Sequence, residues 1–198
     1  MKRIVITTET FFENEADAIH LLFENGLETL HLRKPLATRL ETEVFIRQIR
    51  ETFHSHIVIH DHYDLMSSYD LKGIHLNKAR KKELAKAWKG TVSYSCHTFE
   101  EVMEMRFCDY VFLSPIFDSL SKVGYKQGFT LEQLKEAKER QIINERVIAL
   151  GGITADVIPM VRALGFGGIA VIGYLWGRFP VDRNVSELLK RFEKLNMA

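Results

Sequence analysis

Two cysteines, Cys96 and Cys108, make no disulfide framework, so a hydrophobic core must hold the fold. No run reaches the roughly 18 consecutive apolar residues that a membrane-spanning helix needs. The start, MKRIVITTETFF, is basic but lacks a long apolar stretch and a small-residue cleavage pattern, and it reads as a first strand rather than an export signal. A reducing cytoplasm is therefore the expected setting. Net charge is only +1, which leaves no global field to draw nucleic acid or a membrane surface. The basic run Lys78–Lys82 is local and reads as a solvated helix face. Linkers and low-complexity tracts are also missing, so residues 1–198 are expected to form a single domain.

What is present is a series of short apolar runs at fairly regular spacing. They are Arg3–Thr8, Thr29–Leu32, Ile57–His60, Gly73–Leu76, Thr91–Cys96, Tyr110–Leu113, Val147–Leu150 and Gly168–Ile172. Near-continuous apolar runs of this length suit parallel strands buried on both faces. Between them lie helix-period segments, clearest at 13–24 and 38–53. Thr98 with Glu101, and Thr130 with Gln133, have the capping-box spacing and predict helix starts. Val185, Leu188, Leu189, Phe192 and Leu195 would share one face of a last helix. Eight strands alternating with helices predict an α/β fold, a minimal (β/α)₈ TIM barrel with short loops, since such barrels usually take about 250 residues. An open doubly wound sheet is the alternative. One long irregular stretch, Ser114–Phe129, follows the sixth strand, and loops of that length are usually functional.

Alternate strand residues face opposite sides. His31 and Arg33 therefore share a face opposite Leu30 and Leu32, and Ser93, Ser95 and His97 share one opposite Val92, Tyr94 and Cys96. With His75, Ser114, Gly151 and Gly173 near the ends of their strands, these groups would converge at the C-terminal mouth, where barrel active sites are built. Gly151-Gly152-Ile153-Thr154 after the seventh strand and Gly173 after the eighth stand where barrels bind phosphate through backbone amides. A GxxxxGK[ST] loop is missing, which argues against a nucleotide site of that kind.

Motifs in order along the chain resemble those of the thiamine phosphate synthase/TenI family. They are Leu30-His31-Leu32-Arg33-Lys34, Ile59-His60-Asp61, Gly73-Ile74-His75-Leu76, Ser93-Tyr94-Ser95-Cys96-His97 with Glu100-Glu101, and Asp109-Tyr110 leading into Ser114-Pro115-Ile116-Phe117. Ala149-Leu150-Gly151-Gly152-Ile153 and Gly168-Ile169-Ala170-Val171-Ile172 complete the pattern. The resemblance implies a thiazole phosphate as substrate and one of two activities. Synthases join an aminopyrimidine pyrophosphate to the thiazole phosphate with Mg²⁺, whereas some TenI-type members tautomerise a thiazole carboxylate phosphate.

Departures from the pattern favour the second. Of two acidic Mg²⁺ positions, Asp61 is kept, but Arg80 stands at the other, and 77–82 contains no acid. His31 and His60 replace amides, and Pro35 replaces a lysine although Lys34 is adjacent. Ser119, Ser121 and Lys122 keep hydroxyls and a cation in the sixth loop. The expectation is a tautomerase with no cofactor. His97 and His31 would move protons, and Arg33, Lys34, Ser95, Ser119, Ser121 and Lys122 would bind substrate. Gly151, Gly152 and Gly173 would hold the phosphate. A synthase with Mg²⁺ on Asp61 and a non-catalytic binder are the alternatives. A Zn²⁺ site built on His60-Asp61-His62 with His75 and His97 is a weaker rival. Cys96 beside His97 points to the opposite face and reads as a structural cysteine. A homodimer would help so small a barrel cover its helix faces.

Overall fold

The computed structural model describes residues 1–118 and 128–197. The eight strands are β1 (Lys2–Ile6), β2 (Thr29–Leu32), β3 (Ile57–Ile59), β4 (Gly73–Leu76), β5 (Thr91–Cys96), β6 (Tyr110–Leu113), β7 (Val147–Leu150) and β8 (Gly168–Val171). They pair in parallel and in chain order, and the barrel closes where β8 meets β1, with Arg3 opposite Ile169 and Val5 opposite Val171. The expected (β/α)₈ barrel is what forms, and the open sheet is excluded.

The helices are α1 (Glu15–Glu24), α2 (Arg39–Gln48), α3 (Leu65–Tyr69), α4 (Phe99–Glu104), α5 (Leu131–Glu139), α6 (Ile158–Ala163), α7 (Gly173–Trp176), α8 (Phe179–Asp182) and α9 (Val185–Met197). Thr130 and Gln133 make the expected reciprocal cap on α5. At α4 Thr98 accepts from the Glu101 amide, but the Glu101 carboxylate takes the His97 amide at 2.6 Å and so ties the end of β5 to its helix. The helical pattern expected over 38–53 is broken after Gln48, where Ile49 turns extended. His54 Nε2 sits 3.1 Å from the Ile46 carbonyl and 2.9 Å from that of Ile49, satisfying the acceptors the helix end leaves open. Leu188, Phe192 and Leu195 bury one face of α9, while Val185 stays exposed. Lys78–Lys82 falls in a short 3₁₀ segment, Lys78–Ala85, on the surface.

The period-two alternation of each strand produces two apolar layers. Outward residues such as Leu30, Leu32, Ile57, Ile59, Tyr94 and Cys96 pack against helix residues such as Ile19, Leu22 and Phe192. Inside the barrel lies a smaller core of Ile4, Ile6, Tyr110, Phe112, Ile148 and Ala170. Among the other inward positions on β2 to β5 are His31, His75, Ser93 and Ser95, which lead toward the mouth. β1 ends at Ile6, short of the expected Thr8, while the Thr7 amide still donates to the His31 carbonyl at 3.0 Å. The Thr7 hydroxyl donates to the Arg33 carbonyl and accepts from the Arg33 amide, each at 3.0 Å, extending the β1–β2 seam through a side chain.

Candidate active site

The C-terminal ends of the strands surround a cavity of about 580 Å³. Arg33, His60, His75, Ser95 and His97 line one side of it, and Gly151, Gly152 and Gly173 line the other. A larger groove, about 730 Å³, lies outside the barrel between α1 and α2 and is lined by Phe11, Leu40, Val44 and Phe45. The imidazoles and the glycine turn all belong to the mouth, so the chemistry is sought there.

His97 follows β5. Its Nδ1 lies 2.9 Å from the Ser114 carbonyl, which can only accept, so Nδ1 carries a proton, and in the neutral ring the lone pair is on Nε2. A histidine in that tautomer is a base. Below it His75 is bracketed by two serines, with Ser93 Oγ 2.8 Å from Nδ1 and Ser95 Oγ 2.8 Å from Nε2. The Ser93 hydroxyl donates to the Ile74 carbonyl at 3.2 Å, so it accepts from His75 Nδ1–H. Nε2 then accepts from Ser95, whose lone pairs are left for a ligand.

His60 stacks on His75 with ring centres 4.3 Å apart. Its Nε2 is 2.9 Å from His31 Nδ1, and His31 Nε2 is 2.6 Å from the Tyr110 hydroxyl. Burial drives all three of these imidazoles toward the neutral form. His75 is pushed down to about 3 by burial and then by the Arg33 charge. His60 is held well below the usual histidine range by burial, then by His75, His31 and Arg33. His31 is lowered by burial, then by His75 and Lys72. Burial likewise pushes the Tyr110 phenol up.

His31, Lys34, Asp61 and His62 do not line the cavity. His31 faces inward as alternation requires, but it is 0% exposed and sits one layer beneath the cavity, behind His60. Lys34, one residue beyond inward-facing Arg33, turns outward. Its Nζ lies 2.6 and 2.7 Å from the two Glu15 oxygens, in a pair whose side chains are 1% and 0% exposed. Burial pushes the Lys34 ammonium down and the Glu15 carboxyl up, while their mutual attraction opposes both shifts. Asp61 pairs with Arg80 at 3.0 Å, and His62 turns away to the Ala37 carbonyl with φ 53°. The H-x-H pair therefore does not converge. Ser119, Ser121 and Lys122 lie outside the described residues.

Arg33 reaches the rim, where its Nη1 is 2.8 Å from the Glu9 carboxylate. Among the described residues the carboxylates that stand at the rim as candidates for Mg²⁺, Glu9 and Asp61, are each paired to an arginine. A hard cation requires several free oxygens, and these residues do not fit it. The opposite side suits an anion. Gly151 and Gly152 have φ of 95° and 64°, and a Cβ on Gly152 would meet the Asp118 carbonyl at 2.4 Å. Only glycine serves there, and the turn is kept bare and close-fitting. Cys96 is fully buried on the outward face, and burial pushes its thiol up to about 12, as expected of a structural cysteine. Sequence reasoning did not reach Glu9, Tyr110 or Trp176, whose indole donates to the Ile6 carbonyl at 2.8 Å beside the mouth.

A closed parallel barrel with histidines at its mouth and a glycine turn after β7 defines the class: a (β/α)₈ barrel with a polar site facing a glycine turn. The family model described as thiamine monophosphate synthase matches residues 3–175, and the chain belongs to that family, TMP-TENI. The crystal structure of a thiamine phosphate pyrophosphorylase from Bacteroides thetaiotaomicron is 42% identical, with a TM-score of 0.87 over 99% of this chain and 96% of that one. The thiamine-phosphate synthase of Caldivirga maquilingensis is 28% identical over 96% of this chain and 93% of its own. That of Caldicellulosiruptor bescii is 24% identical over 96% and 92%. The family resemblance is thus established. These names are those of the synthase, the alternative above, and not of a tautomerase.

Proposed function

We propose that the chain acts in thiamine biosynthesis on a phosphorylated thiazole and that it is a Mg²⁺-independent, TenI-type thiazole tautomerase. One observation carries this choice over the synthase. Asp61 is held by Arg80 at 3.0 Å, and the second acidic position is that arginine itself. A departing pyrophosphate needs its charge neutralised by a metal and cations, and the described residues offer no oxygen cluster for that metal.

A proton shift needs less. His97 Nε2 takes a proton from the dihydrothiazole ring, and the resulting imidazolium returns one to the exocyclic position. The electron pair left on the ring completes its aromatic sextet, with no net gain or loss of protons or electrons. Arg33 grips the carboxylate of the substrate in place of Glu9, Ser95 lines the cavity beside it, and the Gly151–Gly152 turn with Gly173 receives the phosphate. Two free, buried cysteines support a cytoplasmic setting.

The names of the relatives favour the second reading, a thiamine phosphate synthase. Purified protein given the thiazole carboxylate phosphate tautomer in Mg²⁺-free buffer should aromatise it, followed by ultraviolet absorbance. His97→Ala should lose at least about a hundredfold in rate. A parallel reaction with Mg²⁺, aminopyrimidine pyrophosphate and thiazole phosphate tests the synthase. Thiamine phosphate formed there, with no aromatisation in the first reaction, would reverse the choice. Activity in neither leaves a binder.

A further inference from the structure

The interior of the barrel carries a cluster that the proposed proton shift does not use in full. One ring nitrogen from each of His31, His60 and His75 lies within 4.8 Å of the other two. They come from β2, from the residue that follows β3, and from β4, and no acid of the described residues is among them. We propose that these three imidazoles form a binding site for a borderline divalent transition-metal ion, Zn²⁺ or Co²⁺, with one open coordination position facing the cavity.

The donors are of the right kind, because neutral imidazole is the preferred partner of such ions and a poor one for Mg²⁺. Three histidines plus one open position is also the ligand count of catalytic rather than structural zinc sites. The spacing is close to what is required. Tetrahedral ligands about 2.0–2.1 Å from zinc lie about 3.4 Å apart. The 2.9 Å between His31 Nδ1 and His60 Nε2 would open slightly, and the other separations, all within 4.8 Å, would close by no more than about 1.4 Å.

The outer partners a metal site needs already stand in place. A ligating histidine normally has its second nitrogen held by a hydrogen bond, which fixes tautomer and ring orientation. Tyr110 holds His31 Nε2 at 2.6 Å, and Ser93 holds His75 Nδ1 at 2.8 Å while anchored to the Ile74 carbonyl. His31 Nδ1 and His75 Nε2 are thereby presented to His60. The proton of the 2.9 Å His31–His60 hydrogen bond moves to the far nitrogen of its ring as the ion enters, so that both facing nitrogens offer lone pairs. The metal would take the His31–His60 and Ser95–His75 contacts as its own. An oxygen of a ligand in the cavity is the natural fourth donor.

The inference is independent of the proposed reaction, because it concerns the chain without substrate. The test is titration of chelator-treated protein with Co²⁺, read by the visible bands of imidazole-bound cobalt. One equivalent should bind and be displaced by Zn²⁺. His60→Gln and His75→Gln should each weaken binding at least about tenfold, whereas His62→Gln, two residues from His60 but turned away, should leave it unchanged. Circular dichroism reports whether each variant folds. Diffraction at the zinc absorption edge from wild-type crystals gives a second reading that needs no variant. No saturable cobalt band, an equal band in His75→Gln, or a zinc peak away from the three rings would overturn the assignment.

Discussion

Acidification should unfold this protein through its barrel interior. His31, His60 and His75 are neutral in the folded chain and have no acidic partner in the cluster. An unfolded imidazole regains its usual value near 6.5. Their folded values are lowered, so the unfolded chain binds more protons below that point, and stability falls as pH falls. Between about pH 7.5 and about pH 5.5 one imidazole that stays neutral when folded costs about 1 kcal/mol, and three together cost a few kcal/mol. That is a large part of the roughly 5–15 kcal/mol a domain of this size usually has. Glu15, whose carboxyl burial pushes up, acts in the opposite sense, because the folded chain holds its proton longer. The measurement is urea unfolding at both pH values, in chelator, followed by tryptophan fluorescence. His75→Gln keeps Glu15 and removes one imidazole, so it should lose about 1 kcal/mol less than wild type on acidification. Equal losses in the two proteins would refute the assignment of a neutral buried His75.

Two further outcomes follow from named contacts. Lys34→Met leaves the Glu15 carboxylate buried without its partner and should cost about 3–5 kcal/mol in the same unfolding assay, while adding Glu15→Leu should recover most of it. Gly152→Ala forces a left-handed residue against the Asp118 carbonyl. It should lose about 1–2 kcal/mol of stability and weaken binding of thiazole phosphate measured by calorimetry, with a smaller effect on the unphosphorylated thiazole.

The strands were legible because each is a compact apolar run, and their ends agree with the observed ladder to within one or two residues. Alternation also read the direction of side chains correctly on β2 and β5. It cannot read depth. Whether an inward residue meets the cavity or lies beneath it depends on the stagger of neighbouring strands, and this is why His31 was expected at the ligand and found behind His60. Lys34 shows the opposite failure. Alternation from Arg33 already points it outward, but a charged residue beside an arginine in a family motif suggested a second anion contact. Its real partner, Glu15, is on α1, nineteen residues back in sequence, where no local pattern links the two. The H-x-H spacing misled for a related reason: His62 has a positive φ, which breaks the alternation that would have set it beside His60. Arg80 was legible as a lost acid, but its pairing with Asp61 was not, because the two meet across separate loops.

The division of the apolar interior into two layers has a consequence for how this barrel can change. Most close packing lies between the sheet and its helices, on residues such as Leu22, Ile46 and Phe192. The inner core is confined to one side of the lumen. The other half is lined by side chains such as His31, His75 and Ser93, which are tied to one another and to Tyr110 by hydrogen bonds. New side chains can be introduced on the inward positions of β2 to β5 while the outward residues of the same strands hold the architecture fixed. In such a molecule chemistry can drift while shape stays constant, and one backbone can pass from one reaction to another by exchanges that leave its outer shell untouched.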